Sequence, residues 1–148
     1  MKLTRRVLHN LAKPVNFQYP MRNHDLATKM FGLMRLENGI GLAAPQIGIS
    51  KRVFVMSIDG HDRCCFNPEI ISSSDVFAEF EEGCLSFPGD SCILKRPHEV
   101  QVKYQNHYGD WIQADLMGLE ARCFQHELDH LDGITMHDRA KEQNATKS

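Results

Sequence analysis

Gly118-Leu119-Glu120-Ala121-Arg122-Cys123-Phe124-Gln125-His126-Glu127-Leu128-Asp129-His130-Leu131 decides how the rest of the chain is read. Leu119, Cys123, His126 and His130 recur at i, i+4, i+7 and i+11, and Phe124, Leu128 and Leu131 widen the same stripe. That period predicts an amphipathic helix, and Gly133 suits the position just past its end. His126 and His130 stand one turn apart on one face, with Cβ atoms about 5–6 Å apart. Two such imidazoles can close on one tetrahedral metal ion. Both lie on the apolar face, where unpaired rings are costly. Glu127, beside the first of them, can reach a water on that metal as a general base. A metal brings the water's pKa toward about 7. Glu127 then takes its proton and returns it to the leaving group. The plain alternative is coincidence, because His-Glu-x-x-His also arises by chance. Asp129 and Asp132 read either as solvated acids or as acceptors that fix a ring tautomer.

Working outward, Leu26, Met30, Leu33 and Met34 give a second helical face over about residues 25–36, stopped by Asn38 and Gly39. Gly39-Ile40-Gly41-Leu42-Ala43-Ala44-Pro45-Gln46-Ile47-Gly48 reads as a loop whose glycines allow close backbone approach. Residues 52–58 hold an unbroken apolar run, a buried strand. Residues 65–71, interrupted by Pro68, and 76–81 are weaker strand candidates. Residues 99–104 and 111–116, joined by a turn-rich segment, predict a β-hairpin. The tail from Lys141 to Ser148 is polar and reads as frayed. The order helix, strands, helix predicts an α+β fold, with mainly antiparallel sheets wrapped around a C-terminal helix carrying the His-Glu-x-x-His motif.

The 148 residues fit one domain, 1–148. A net charge of −2 excludes a strong overall pull toward nucleic acid or anionic lipid. The apolar runs fall short of a membrane span. Met1-Lys2-Leu3-Thr4-Arg5-Arg6 is basic but leads to no apolar signal core. Five cysteines, an odd number, argue for reduced thiols in a cytoplasmic setting. Cys64, Cys65, Cys92 and Cys123 read first as small buried apolar residues.

A catalytic metal needs a third protein ligand and an open fourth position. Downstream, His137 and Asp138 are the candidates. Upstream, Glu82-Gly83-Cys84-Leu85-Ser86 offers a thiolate, and one Cys with two His is a workable set.

Three segments in chain order, residues 39–46, 82–86 and 126–130, resemble the three signature motifs of the peptide deformylase family, and the resemblance spans nearly the whole chain. It implies removal of the formyl group from N-formylmethionine on nascent polypeptides. It also implies a metal held by Cys84, His126 and His130, with Glu127 as the general acid/base. Gln46 and the Leu85 backbone N–H would donate to the formyl oxygen. Ile40 and Gly41 would pair with the substrate backbone. Gly83, Leu119 and Cys123 would line the methionine pocket, with plain core packing as the alternative for Ile40, Leu119 and Cys123. The implied cofactor is one divalent metal ion, natively Fe²⁺, with Zn²⁺ or Ni²⁺ in purified material.

Two departures stand out. Ser91 occupies the position where many bacterial members carry an Arg near the substrate. Arg122 stands where an apolar pocket residue is common, so it reads either as a replacement substrate contact or as a solvated helix residue. Few residues follow Gly133, so ribosome docking through a long basic C-terminal helix is not expected. No direct nucleic-acid or membrane partner is expected, and a bacterial or phage-encoded cytoplasmic enzyme is the implied setting. Two other classes share the motif. A zincin-type peptidase would need a downstream third ligand. A non-catalytic metal module would have no use for Glu127 and Gln46.

Overall fold

The computed structural model describes residues 2–5 and 8–145. Met1 and Arg6 of the basic N-terminus and residues 146–148 of the polar tail lie outside them. Helix α1 runs Pro20–Leu36. Strands β1 Gly41–Ala43, β2 Val53–Ile58, β3 His61–Ser73, β6 Glu99–Gln105 and β7 Trp111–Met117 form an antiparallel sheet in the order β1-β2-β3-β6-β7. Strands β4 Phe77–Gly83 and β5 Ser91–Pro97 form a separate antiparallel ribbon. Helix α2, Gly118–Leu131, is followed by α3, Met136–Ala145.

The continuous apolar run of β2 is explained by burial on both faces. Phe54 and Met56 pack with Phe124 and Leu131 of α2, and the Phe54 and Phe124 rings meet edge to face with centroids 5.0 Å apart. Val53 and Val55 pack with Met30, Leu33 and Met34 of α1. The five-stranded sheet is thus sandwiched between the two helices, and α2 is held with its His-bearing face fixed.

α2 has the expected bounds, and Gly133 follows Asp132 at the helix end with φ +75°. Five elements differ from expectation. α1 begins at Pro20, a residue suited to a first helical turn. Its opening turn is polar, so the apolar period starts late. The segment 39–48, expected to be a loop, contains β1 and a short 3-10 turn, Ala44–Ile47. Pro68 does not end β3. It sits in a register shift between Phe66 and Glu69, next to Asn67 at φ +48°, where the missing N–H costs little. β5 was not anticipated, and residues 141–145 of the tail are helical rather than frayed.

α3 is held by polar ties. Thr135 and Asp138 cap it reciprocally, the Thr135 N–H donating to Asp138 Oδ2 at 2.8 Å and the Asp138 N–H to Thr135 Oγ1 at 3.2 Å. Arg139 donates to both oxygens of Asp129 on α2, at 2.8 and 3.1 Å. The Gln143 side-chain amide both accepts from the Lys95 N–H and donates to its carbonyl. Among the described residues, no helix is long and apolar enough to cross a membrane.

Candidate metal centre

β4 ends at Gly83 and the chain turns at Cys84, which brings the thiol over the buried face of α2. Ligand atoms of Cys84, His126 and His130 all lie within 4.8 Å of one another. Cys84 Sγ is 3.3 Å from His130 Nε2. The downstream candidates are committed elsewhere: His137 Nε2 lies 3.4 Å from Asp90, and Asp138 caps α3.

His126 Nδ1 lies 2.8 Å from Glu82 Oε1. A carboxylate behind a ring nitrogen orients the imidazole and leaves Nε2 to face the cluster. The residue in this position is Glu82, not Asp129 or Asp132. Asp129 is buried and pairs with Arg96 at 2.9 Å and with Arg139, while Asp132 pairs with Arg52 at 2.8 Å. Glu82 is itself crowded by cations: Arg96 Nε and Nη2 donate to its two oxygens at 2.6 and 3.0 Å, and Arg122 Nη1 donates to Oε2. His130 Nδ1 has no hydrogen-bond partner among the described residues, so nothing behind that ring fixes its tautomer.

The two rings sit in different electrostatic surroundings. Burial opposes a charge on His126, but bonds with Cys84 and Glu82 outweigh it and lift its pKa to about 10. Burial and the neighbouring His126 push His130 down to about 3, leaving a neutral imidazole ready to donate. Burial would raise Glu82, yet bonds from His126 and Arg96 hold it near 2, so it stays ionised. A cluster of one thiol and two imidazoles fits a divalent metal ion, and the Cys/His donor set suits zinc or iron.

Glu127 is 3% exposed, and its Oε1 has no hydrogen-bond partner among the described residues. Burial is the main cause that pushes its carboxyl up to about 7, against the pull of His126. An unpartnered buried carboxylate is costly, and here it borders a cleft of ≈ 520 Å³. Gly41 makes this arrangement possible: a Cβ there would sit 2.5 Å from Glu127 Oε2 and 2.8 Å from Cys123 Sγ. Gln46 is 1% exposed. Its Oε1 accepts from the Ala43 N–H at 2.8 Å, which fixes the amide so that Nε2 points toward Ser86 Oγ at 3.1 Å and Cys84 Sγ at 3.5 Å.

Of the site residues identified in the sequence, all but His130 line the cleft, and His130 lies fully buried beneath it. Ile40 and Leu119 are 47% and 44% exposed, so neither is a core residue. Cys65 and Cys123 are buried, whereas Cys64 and Cys92 are half-buried. Arg122 borders the cleft but is not solvated. Its guanidinium donates to Glu82 and to the carbonyls of Leu94 and Ala78, and it stacks over Phe80. Glu82, Arg96 and Phe80 were not singled out from the sequence. The position of Glu82 directly before Gly83-Cys84 was the available signal for the first of them.

The model of the polypeptide deformylase family matches residues 1–146. The peptide deformylase of Thermotoga neapolitana is 43% identical over 135 residues, covering 91% of this chain and 82% of its own length. That of Natranaerobius thermophilus is 50% identical over 123 residues, 82% of this chain and 78% of its own. The crystal structure of the Thermotoga maritima peptide deformylase superposes with a TM-score of 0.88 at 41% identity, covering 91% of each chain. The peptide deformylase of Vibrio parahaemolyticus bacteriophage VP16T, solved in complex with actinonin, gives 0.85 at 36% identity over 91% of this chain and 99% of its own.

Proposed function

The chain belongs to the polypeptide deformylase family, and from that premise we propose the residues through which it works. It is a metal-dependent hydrolase that removes the N-formyl group from nascent polypeptides. In our reading the 148 residues act as one catalytic domain, in which Cys84, His126 and His130 hold one divalent ion. The approach of their donor atoms to within 4.8 Å supports this.

When bound, such an ion supplies Lewis acidity, polarising the formyl oxygen and bringing the pKa of water toward about 7. Glu127 takes the proton of the attacking water on Oε1 and returns it to the departing amine nitrogen. A carboxyl near pH 7 can do both. Gln46 Nε2 and the Leu85 N–H donate to the formyl oxygen as it becomes anionic. Preorganised donors of this kind are worth about 2.7–4 kcal/mol each. The Ala43 bond to Gln46 Oε1 keeps the amide from flipping. β1 is an edge strand, which supports pairing of the substrate backbone with Ile40 and Gly41. Gly83, Leu119 and Cys123 line the methionine pocket, and Arg122 borders the same cleft.

We take Fe²⁺ as the native ion, with Zn²⁺ or Ni²⁺ able to replace it. Thiolate-ligated ferrous iron would make the enzyme sensitive to oxidation. The five free cysteines support a reducing, cytoplasmic setting, bacterial or that of a phage host. The test is anaerobic purification with metal analysis, followed by deformylation of formyl-Met-Ala-Ser. About one metal per chain and release of formate are expected. Glu127→Gln should keep the metal and lose turnover. A Cys84→Ala variant that keeps both metal and activity would overturn the assignment.

A further inference from the structure

Glu82 accepts from more donors than one carboxylate needs in order to orient a histidine. Arg96 alone grips both of its oxygens, at 2.6 and 3.0 Å, and is anchored from behind by Asp129 at 2.9 Å. That bidentate bond already fixes the carboxylate against His126 Nδ1. Arg122 adds a second guanidinium on Oε2. Arg122 and Glu82 are 7% and 5% exposed, so the added charge is not dissipated by solvent. Arg122 does not owe its position to Glu82 alone. The carbonyls of Ala78 and Leu94 accept from it at 2.6 and 3.3 Å, and Phe80 lies under it.

We propose that Arg122 is a positioning residue whose charge, acting through Glu82, lowers the electron donation of His126 and so weakens the hold of this centre on its metal ion. The inference rests on the metal-centre reading above. A carboxylate behind a ligating histidine makes the ring a stronger donor by drawing on its Nδ1 proton. A cation on the same carboxylate withdraws that help. Arg122 also sets a positive charge one residue removed from His126, across Glu82, and like charges repel, so it opposes a cation at the proposed centre. Both effects have the same sign. An ion held there would keep more of its own positive charge, which would favour polarisation of the formyl oxygen at the expense of affinity.

The sign separates this role from bracing. If Arg122 only braced Glu82, removing it would loosen the metal; if it withdraws density, removing it tightens binding. The experiment is a Co²⁺ titration of the metal-stripped protein against a competing chelator, for wild type, Arg122→Gln, Arg122→Leu and Arg122→Lys. Gln keeps a donor toward Glu82 without the charge, and carries the test if Leu does not fold. Gln and Leu should lower the Kd for Co²⁺ about ten-fold, within the usual reach of residues behind a ligand. Lys, which keeps the charge, should stay near wild type. Equal or weaker binding by the Gln variant, or a Lys variant that tightens as much as Gln, would overturn the inference. A wild-type chain that binds no Co²⁺ would overturn the metal-centre reading and this inference with it.

Discussion

Replacing Gly41 with alanine tests the catalytic geometry with a single carbon. The added Cβ would lie 2.5 Å from Glu127 Oε2 and 2.8 Å from Cys123 Sγ. Ordinary contact begins near 3.5 Å, so the carboxylate must retreat by about 1 Å. The helix cannot follow, because it packs on the sheet through Phe124 and Leu131, so the carboxylate alone swings out of position toward the cleft it borders. A misplacement of about 1 Å in a reacting group costs on the order of 100-fold in rate. The backbone has no objection to alanine, since Gly41 has an ordinary negative φ and continues β1. The expected result is therefore a kcat on formyl-Met-Ala-Ser about 100-fold below wild type. Metal content should be unchanged, because the atoms nearest the added carbon belong to Glu127 and Cys123, not to Cys84, His126 or His130. Steady-state kinetics with metal analysis on the same preparation decides the matter. A kcat within three-fold of wild type would refute the idea that this glycine exists to make room for Glu127. A rise in KM alone would move its role to pairing with the substrate backbone.

Two further outcomes follow from charges behind the site. Glu82→Gln leaves Arg122 buried without a counter-charge and Arg96 with Asp129 alone; urea unfolding should show a loss of about 3–5 kcal/mol, with metal affinity falling about 10–100-fold. For Asp138, burial is the largest single influence and raises the pKa, but two bonds with Thr135, joined by the nearby His9 and Lys141, outweigh it and hold the carboxyl below its usual value. Its cap on α3 is therefore fully present above the unfolded-state pKa and is lost as pH falls through the lower folded-state value. Asp138→Asn should flatten the acid limb of thermal stability measured between pH 6 and 3, and an unchanged limb would show that the cap contributes nothing.

The sequence revealed most where apolar residues do the work. α2 was legible to its last residue because Leu119, Cys123, Phe124 and Leu131 repeat at helical spacing and Gly133 marks the stop. β2 was legible because both its faces are buried. α3 was hidden because Met136 is its one buried residue and its anchors are Arg139 and Gln143. Even so, Thr135-x-x-Asp138 spells a capping box. β5 was hidden because Arg96 points inward, and a charge at a buried position breaks the alternation that marks a strand. In the site, the proposed ligands, Glu127 and Gln46 stood in recognisable motifs. The roles of Glu82 and Arg122 did not, because an acid or a guanidinium in a sequence reads as solvated until the fold brings its partner beside it.

The amide of Gln143 meets both the N–H and the carbonyl of Lys95, as one residue of a neighbouring strand would. The β4-β5 ribbon has two edges, and an unpaired edge invites any extended chain. On the β5 side the molecule supplies its own plug, one side chain long. The opposite edge belongs to β4, whose residues Phe80–Gly83 border the cleft. The ribbon's two margins are thus unlike: a stray peptide, or a second copy of the protein, finds the outer one taken at Lys95, while the other faces the cleft.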